Sequence, residues 1–189
     1  MNPQRDALVA LADALLGRHW YVFGAQALRL WGAPRQTLDI DVTVAMDLAE
    51  LPTLIDTLAA HGFAAKPEDP VAFATRFFVV PLMHQGGTPV DLILAGTPFE
   101  TDAFAHALEA ELHGVRVPVV SPEDLVIYKI TSERQRDHED AASVVRRQAE
   151  RLDAERVRRA LRDAERAFDV SDLVREFDAL LTAALRASR

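Results

Sequence analysis

Three aspartates have a spacing and a setting that suit metal-ion chemistry. Asp39 and Asp41 lie in the run TLDIDVTV, residues 37–44, and Asp91 lies in the run PVDLIL, residues 89–94. In an extended strand, residues two apart point to the same face, so the first two carboxylates project side by side. Three converging carboxylates repel one another unless they share protons or a cation. The pattern therefore predicts a divalent metal site formed by Asp39, Asp41 and Asp91.

An ordinary half-exposed strand is the alternative explanation for the first pair. Apolar residues alternate with polar ones along residues 37–44, as they do in any strand with one buried face. Aspartate is depleted in strands, however, and two aspartates at alternate positions gain nothing from strand propensity. Asp91 is the sharper case because its neighbours on both faces are apolar. We expect a buried carboxylate there, which must be paired, hydrogen-bonded or metal-bound.

Two short segments are candidates for phosphate binding. Gly24-Ala25 follows a predicted strand and precedes a predicted helix, so its backbone N–H groups and the helix dipole can face a phosphate. Arg35 and Thr37 lie in the loop that leads into the aspartate strand, where a guanidinium and a hydroxyl can contact phosphate oxygens. The alternatives are a plain turn for the first segment and a solvated loop for the second.

A second set of charged residues follows a Ser-Pro-Glu-Asp helix start at residues 121–124. Lys129 interrupts an apolar helical run, so it either extends along its stem to solvent or neutralises a triphosphate. Arg136, Asp137 and Asp140 come next. For the two aspartates the alternative is structural, since Asp137 can cap the following helix with Asp140 three residues later.

The composition is that of a folded globular chain of 189 residues, with 49% hydrophobic and 26% charged residues. A net charge of −8 argues against a broad basic surface for nucleic acid, although a local basic patch stays open. With no cysteine there is neither a disulfide framework nor a thiolate zinc site. Because no membrane-length apolar stretch or signal-peptide pattern is visible, we expect a cytoplasmic protein.

The order of predicted elements divides the chain into an αβ half and a helical half. Up to about residue 120 we predict helices at 3–16, 25–31, 48–61 and 99–112, and strands at 20–23, 37–44, 63–65, 77–83, 89–95 and 114–120. A proline-containing loop through Asp69-Pro70 follows the strand at 63–65. The remainder is predicted to form helices at 122–133, 137–150, 153–168 and 171–187. The last helix has an apolar stripe, so it must pack against its own domain.

Taken in chain order, these motifs resemble the nucleotidyltransferase family of AbiEii-type toxins, and more distantly the minimal and antibiotic-modifying nucleotidyltransferases with a polymerase-β-like core. The resemblance runs from about residue 20 to residue 145. It implies an α+β fold, with a nucleotidyltransferase-like mixed β-sheet, flanking helices and a C-terminal helical bundle. Residues 1–120 would form the catalytic α/β core, and residues 121–189 would form a helical part packed on that core.

The resemblance also implies a role for each motif residue. Asp39, Asp41 and Asp91 would hold Mg²⁺, or Mn²⁺ in its place, and Asp91 would help deprotonate the acceptor. Lys129 would join these acids as a catalytic residue. Nucleotide binding would fall to Gly24, Ala25, Arg35, Thr37, Lys129, Arg136, Asp137 and Asp140. The family often has Gly-Gly or Gly-Ser where this chain has Gly24-Ala25, so a serine hydroxyl that would touch a phosphate is missing.

The implied activity is Mg²⁺-dependent transfer of a nucleoside monophosphate from an NTP to an acceptor, with release of pyrophosphate. An RNA end, a protein side chain and a small molecule all stay open as acceptors. The resemblance also implies the toxin of a toxin–antitoxin pair, with a separate antitoxin protein as partner. Two other functions stay open: a non-catalytic nucleotide-binding or regulatory module that kept the fold, and a metal-dependent phosphohydrolase that uses the same acids.

Overall fold

The computed structural model describes residues 2–187 and divides into two compact units. The first unit comprises the residues up to Gln26 together with Gln36–Val120. The second comprises Ala27–Arg35 and the residues from Ser121 onward. The helix that follows the first strand is shared, since it begins in the first unit and continues into the second.

The first unit contains a seven-stranded mixed sheet with helices inserted between its strands. Its elements in chain order are α1 (Pro3–Ala14), β1 (Trp20–Phe23), α2 (Gly24–Trp31), β2 (Ile40–Val44), α3 (Leu51–Ala60), β3 (Phe63–Ala65), α4 (Pro70–Phe77), β4 (Val79–His84), β5 (Pro89–Leu94), α5 (Pro98–His106), β6 (Leu108–Leu112) and β7 (Val115–Val119). The strand order is β3-β4-β5-β2-β1-β7-β6. This architecture confirms the predicted mixed sheet.

Strand β2 lies in the middle of this sheet and is held by both neighbours. It pairs antiparallel with β1 and parallel with β5. On one face Ile40, Val42 and Val44 are fully buried, because the same alternation that displays the acids sends the aliphatic side chains into the core. If the pairing register of β2 shifted by one residue, the aliphatic side chains would leave the core and the aspartates would enter it. Burial of the aliphatic side chains therefore fixes the register of the aspartates.

The prediction of a continuous helix over residues 99–112 is wrong. Helix α5 ends at His106, and β6 follows as an edge strand of the described sheet. Strand β6 pairs antiparallel with β7, and Leu112 is buried while Glu109 and Glu111 are exposed. Leu, Glu and Ala all favour helices, but sheet pairing and burial of Leu112 override that weak local preference.

Helix α4 is a second difference from the prediction, which has a proline-containing loop through Asp69-Pro70 and a strand that starts at Phe77. Asp69 caps this helix, its carboxylate accepting a hydrogen bond of 2.9 Å from the backbone N–H of Ala72, and Pro70 occupies the first helical position. The Asp-Pro pair was thus a helix-start signal. The hairpin of β4 and β5 that follows agrees with the prediction.

The second unit is helical, with α6 (Pro122–Ile130), α7 (Gln135–Gln148), α8 (Ala154–Phe168) and α9 (Leu173–Ala187) after the end of α2. Ser121 caps α6 as predicted, accepting from the backbone N–H of Asp124 at 3.1 Å. Phe177, Leu181 and Ala184 of α9 are buried, as its apolar stripe predicts. Together with the mixed sheet, this bundle confirms the predicted α+β fold class. None of the helices described within residues 2–187 is long and apolar enough to cross a membrane.

A histidine of α7 forms a hydrogen bond with a glutamate of α9, and its protonation should affect the stability of the protein. Both ring nitrogens of His138 have acceptors, Nδ1 with Glu176 Oε1 at 2.6 Å and Nε2 with the Ser132 carbonyl at 2.7 Å. The hydrogen bond to Glu176 raises the pKa of His138; burial opposes this, and the Ser132 carbonyl and the charges of Glu176 and Asp137 add to it. Only the protonated ring donates from both nitrogens.

We therefore expect His138 to stabilise the protein at low pH and to lose that effect as pH rises. The folded-state pKa lies above the unfolded value of 6.5, so the contribution is complete below 6.5 and disappears as pH rises through the folded-state pKa. Urea unfolding of the wild type and of His138→Gln at several pH values measures this contribution to stability. The difference in unfolding free energy between the wild type and His138→Gln should be largest at the lowest pH values measured. A difference that is constant, or that grows with pH, would contradict this assignment.

Candidate active site

The first unit brings the predicted acids together on one face of the sheet. Asp41 of β2 is the register partner of Asp91 of β5 in a parallel pair, so their Cα atoms lie roughly 4.8 Å apart. Asp39 lies immediately before β2, two residues from Asp41. The three carboxylates therefore come from two neighbouring strands, as the spacing predicts.

The environment of Asp91 reflects this crowding. Burial raises the pKa of Asp91; the charge of Lys66 lowers it in part, and the charge of Asp39 raises it further. The side chain is half-buried rather than fully buried, so the expectation of a strand buried on both faces is wrong. Val90, Leu92 and Leu94 form the buried face of β5, while its other face borders a cavity.

Asp39 is fixed through its side chain and its backbone. The Thr37 hydroxyl donates to Asp39 Oδ1. The Asp39 carbonyl accepts from Gln26 Nε2 at 3.0 Å, and Gln26 is only 1% exposed. The Oε1 atom of Gln26 in turn contacts His113 Nε2 at 3.0 Å. The first turn of α2 thus positions the entry to the aspartate strand.

Gly24 is required at the junction of β1 and α2 for two reasons. Its φ of +62° lies in the left-handed region that residues with a Cβ rarely adopt. A Cβ at this position would also overlap Asp41 Oδ2 and lie 2.9 Å from Asp41 Cγ. The sequence suggested that this glycine lets the backbone approach a phosphate. The structure shows that it lets the backbone approach a carboxylate.

The donor set consists of carboxylate oxygens, the ligand type that Mg²⁺ and Mn²⁺ prefer. Within residues 2–187, no three Asp, Glu or His side chains are gathered tightly enough to form a ready-made ion site. In this conformation Asp39 Oδ1 is engaged by Thr37. The residues therefore fit a divalent cation by chemistry and by strand position, while the final arrangement of ligands is not preassembled.

The second unit contains a buried charge network centred on Lys129. Its ammonium contacts Asp137 Oδ1 and lies 3.1 Å from Asp140 Oδ2. Asp137 also accepts from Ser132 Oγ at 2.7 Å and pairs with Arg134 Nε at 2.7 Å. Burial acts to raise the pKa of Asp137, but hydrogen bonds from Lys129 and Ser132 and the charges of Lys129 and Arg134 outweigh it and lower the pKa.

This network changes the interpretation of three predicted residues. Lys129 is 6% exposed, so the alternative in which it extends to solvent is wrong. Asp137 lies in the first turn of α7, whose N-cap is Arg134, so its predicted capping role is also wrong. Asp140 is ion-paired rather than part of a capping box, because α7 begins two residues earlier than predicted.

The two predicted arginines have different settings. Arg35 Nε lies 3.4 Å from Asp140 Oδ2, close enough for an ion pair. Neither of those two buried atoms has a hydrogen-bond partner within residues 2–187, so the two side chains interact through charge alone. Arg136 is exposed on α7. Ala25, in the first turn of α2, is buried.

The structure has a cavity next to Asp41 and Asp91 that was not predicted from the sequence. It measures about 500 Å³ and lies entirely within the first unit. Its lining comprises Asp41, Phe77, Phe78, Val79, Asp91, Ile93, Leu94, Gly96, Thr97 and Glu100. Two consecutive phenylalanines at the end of a helix that starts with Asp-Pro were the available signal. That signal was lost because α4 was predicted as loop and strand.

Comparisons with known proteins identify the family of this chain and show which solved structures have a similar fold. A family model described as "Nucleotidyl transferase AbiEii toxin, Type IV TA system" matches residues 6–186. The solution structure of the antibiotic-resistance factor ANT(2'')-Ia is similar with a TM-score of 0.56 at 19% identity, over 88% of this chain and 93% of that one. No curated protein matches the sequence.

Two further solved structures share the fold at low identity. The lincomycin-bound lincosamide antibiotic adenylyltransferase LnuA has a TM-score of 0.51 at 15% identity, over 76% of this chain and 96% of that one. An antigenic nucleotidyltransferase-like protein from Paracoccidioides brasiliensis has a TM-score of 0.52 at 16% identity, over 96% of this chain and 92% of that one. The family model extends beyond the motif region at both ends and confirms the resemblance. The chain belongs to the AbiEii family of nucleotidyltransferase toxins.

Proposed function

We propose that this nucleotidyltransferase moves a nucleoside monophosphate from an NTP to a hydroxyl group of an acceptor, and that Asp39, Asp41 and Asp91 form its catalytic centre. One observation carries the proposal. Asp41 and Asp91 face each other in register across two parallel strands, and Gly24 leaves room for the Asp41 carboxylate at the start of a helix. A cluster of acids that repel one another is stabilised when it binds a cation.

The same three acids would hold Mg²⁺, or Mn²⁺ in its place. Such an ion, when bound, offsets the negative charge on phosphate oxygens during transfer. Thr37 supports this role indirectly, because its hydroxyl orients the Asp39 carboxylate. The side chain of Gln26 supports it as well by holding the Asp39 backbone.

The chain supplies the remaining steps through its own groups. Asp91 would accept the proton of the acceptor hydroxyl, whose oxygen then bonds to the α-phosphorus of the NTP. The bond from that phosphorus to the bridging oxygen breaks, and pyrophosphate leaves. Backbone N–H groups at Gly24 and Ala25 would bind phosphate oxygens at the start of α2. Position 25 offers no hydroxyl for this purpose.

We also propose that the predicted nucleotide-binding residues of the second unit contribute to triphosphate binding. Arg35 and Arg136 would contribute positive charge toward the triphosphate. Lys129 already contacts Asp137 and Asp140, so we propose that it acts with both carboxylates as one network.

The acceptor and the biological role are the finer parts of the proposal. The family description supports a toxin whose activity a separate antitoxin protein restrains. Structural neighbours are described with adenylyl-2''-tobramycin and with lincomycin, which keeps small hydroxylated molecules among the acceptors to test. An RNA end and a protein side chain complete the set.

Transfer of an α-phosphate label tests this function directly. The protein would be incubated with each α-labelled NTP and Mg²⁺, together with separate RNA, protein and small-molecule fractions. We expect label in one fraction, release of pyrophosphate, and loss of both when EDTA is added. Release of inorganic phosphate without label transfer would favour the phosphohydrolase. Nucleotide binding without either product would favour the non-catalytic module.

A further inference from the structure

The 500 Å³ cavity beside Asp41 and Asp91 has the size and chemistry of a small-ligand site. Its volume falls within the range of roughly 300–1,000 Å³ that such sites occupy. Two catalytic carboxylates contribute to its lining, while Val79, Ile93 and Leu94 give it an apolar wall. A group bound in this cavity therefore lies next to the carboxylate that would accept a proton.

Two adjacent aromatic rings line the same cavity and are unusually exposed. Phe77 and Phe78 are 51% and 50% exposed. The Phe73 ring lies 4.7 Å from the Phe77 ring, and the Arg76 guanidinium carbon lies 5.0 Å from its centroid. Large apolar side chains exposed together in a cavity mark a surface that a ligand covers. Aromatic faces flanked by a guanidinium favour planar rings.

The backbone holds Phe78 in this position at a conformational cost. Its φ of 55° lies in the left-handed region, which is unfavourable for a bulky residue at the end of a helix. A hydrogen bond of 2.8 Å from its N–H to the Ala74 carbonyl maintains the turn, and the Leu94 N–H donates to its carbonyl at 2.9 Å. Strain of this kind concentrates at binding sites.

Gly96 leaves room for that ring. A Cβ at Gly96 would lie 3.3 Å from Phe78 Cδ1, a tight contact that the ring would have to relieve by shifting a few tenths of an ångström. The Glu100 carboxylate accepts hydrogen bonds from the N–H groups of Gly96 and Thr97 at 2.9 and 2.8 Å, which fixes the loop. The aromatic wall is thus supported by a structured loop.

Charge indicates which part of a ligand enters the cavity. Asp41, Asp91 and Glu100 line it, and among residues 2–187 no lysine, arginine or histidine does so. An uncharged ring with its hydroxyl fits this setting better than a phosphate does. Positive charge is available beside the wall, at Arg76 over Phe77 and at Lys66, whose charge acts on Asp91.

We propose that this cavity is the acceptor pocket, and that Phe77 and Phe78 select an acceptor that carries a nucleobase next to its reactive hydroxyl. This inference rests on the proposed function of Asp39, Asp41 and Asp91. The base would stack on the aromatic wall and bring a ribose hydroxyl to Asp91. A free nucleoside and the 3′ end of an RNA strand share this chemistry, and the experiment separates them.

The test compares three acceptors with an α-labelled NTP and Mg²⁺. They are free adenosine, a short single-stranded RNA that ends in adenosine, and the same RNA whose last unit keeps its ribose hydroxyls but lacks the base. We expect transfer to adenosine, to the intact RNA or to both, and a roughly 5- to 100-fold lower kcat/KM for the RNA without the terminal base. Transfer confined to one of the first two identifies the source.

Variants at the aromatic wall provide the second readout. Phe77→Leu and Phe78→Leu stay apolar but lose the ring, so each should lower kcat/KM for the acceptor by about the same factor and leave the KM for the NTP unchanged. Phe77→Tyr and Phe78→Tyr keep the ring and should retain most of the activity. Circular dichroism of each variant verifies that the fold is intact.

Three outcomes would overturn the inference. They are measurable and equal transfer to the two RNAs, transfer to protein alone, and leucine variants that raise the KM for the NTP instead. Asp41→Asn is assayed in parallel. Transfer that survives Asp41→Asn counts against the proposed catalytic centre, whereas a loss in Asp41→Asn with unaffected leucine variants counts only against the acceptor pocket.

Discussion

Replacing Asp41 by asparagine is expected to lower kcat for nucleotidyl transfer about 10²- to 10³-fold, the loss typical of removing one electrostatic group from an active site. Asparagine has nearly the same shape, so β2 keeps its register with β1 and β5. The carboxylate charge is lost at the position that faces Asp91. The measurement is the rate of α-label transfer at saturating NTP, together with its dependence on Mg²⁺ concentration.

Stability separates this effect from misfolding. Removing one acid from a crowded set reduces repulsion, so the melting temperature of Asp41→Asn should match or exceed that of the wild type. Asp56→Asn is the matched control, because Asp56 is an exposed acid on α3 of the same unit. Its activity and melting temperature should stay close to those of the wild type. Equal activity of the two variants would refute the assigned role of Asp41.

Replacing Lys129 by methionine is expected to destabilise the protein by about 3–5 kcal/mol, the cost typical of removing one partner from a buried ion pair. Methionine keeps the length and apolar stem of lysine. The change leaves the carboxylates of Asp137 and Asp140 buried without the ammonium between them. Urea unfolding followed by far-ultraviolet circular dichroism measures the loss.

Arg134 supplies the matched control for this network. Its side chain is 80% exposed, and it pairs with the same carboxylate of Asp137. Arg134→Met should cost less than about 1 kcal/mol, since exposed ion pairs contribute little. If the two methionine variants lose the same stability, Lys129 does not hold the buried network as the distances indicate.

The proximity of Asp41 to Asp91 could be predicted from sequence because strand geometry determines the face on which each side chain lies. Alternation in residues 37–44 places Asp39 and Asp41 on one face of the chain and the aliphatic residues on the other. In residues 89–94 both faces are apolar apart from Asp91, and burial of Val90, Leu92 and Leu94 places Asp91 on the opposite face. Burial of the aliphatic faces then fixes both registers. The pairing of Asp41 with Asp91 follows once the two strands are neighbours in the sheet.

The cavity and the Lys129 network could not be predicted in the same way. The aromatic wall depends on a left-handed residue at Phe78 and on space at Gly96, which are tertiary requirements that local pattern does not reveal. The sequence leaves Lys129 either extending to solvent or neutralising a triphosphate, and it does not reveal that two aspartates of the next helix contact the ammonium. Propensity likewise favoured a helix at β6, where pairing with β7 prevails.

Strand β6 has a consequence for how the protein behaves in concentrated samples. An edge strand offers its unpaired backbone groups to strands of other molecules, which is a common route to aggregation. Glu109 and Glu111 lie exposed on this strand and place negative charge where an incoming strand would dock. Substitutions that remove these two charges would also remove that protection, so Glu109 and Glu111 are best kept in any engineered version of the protein.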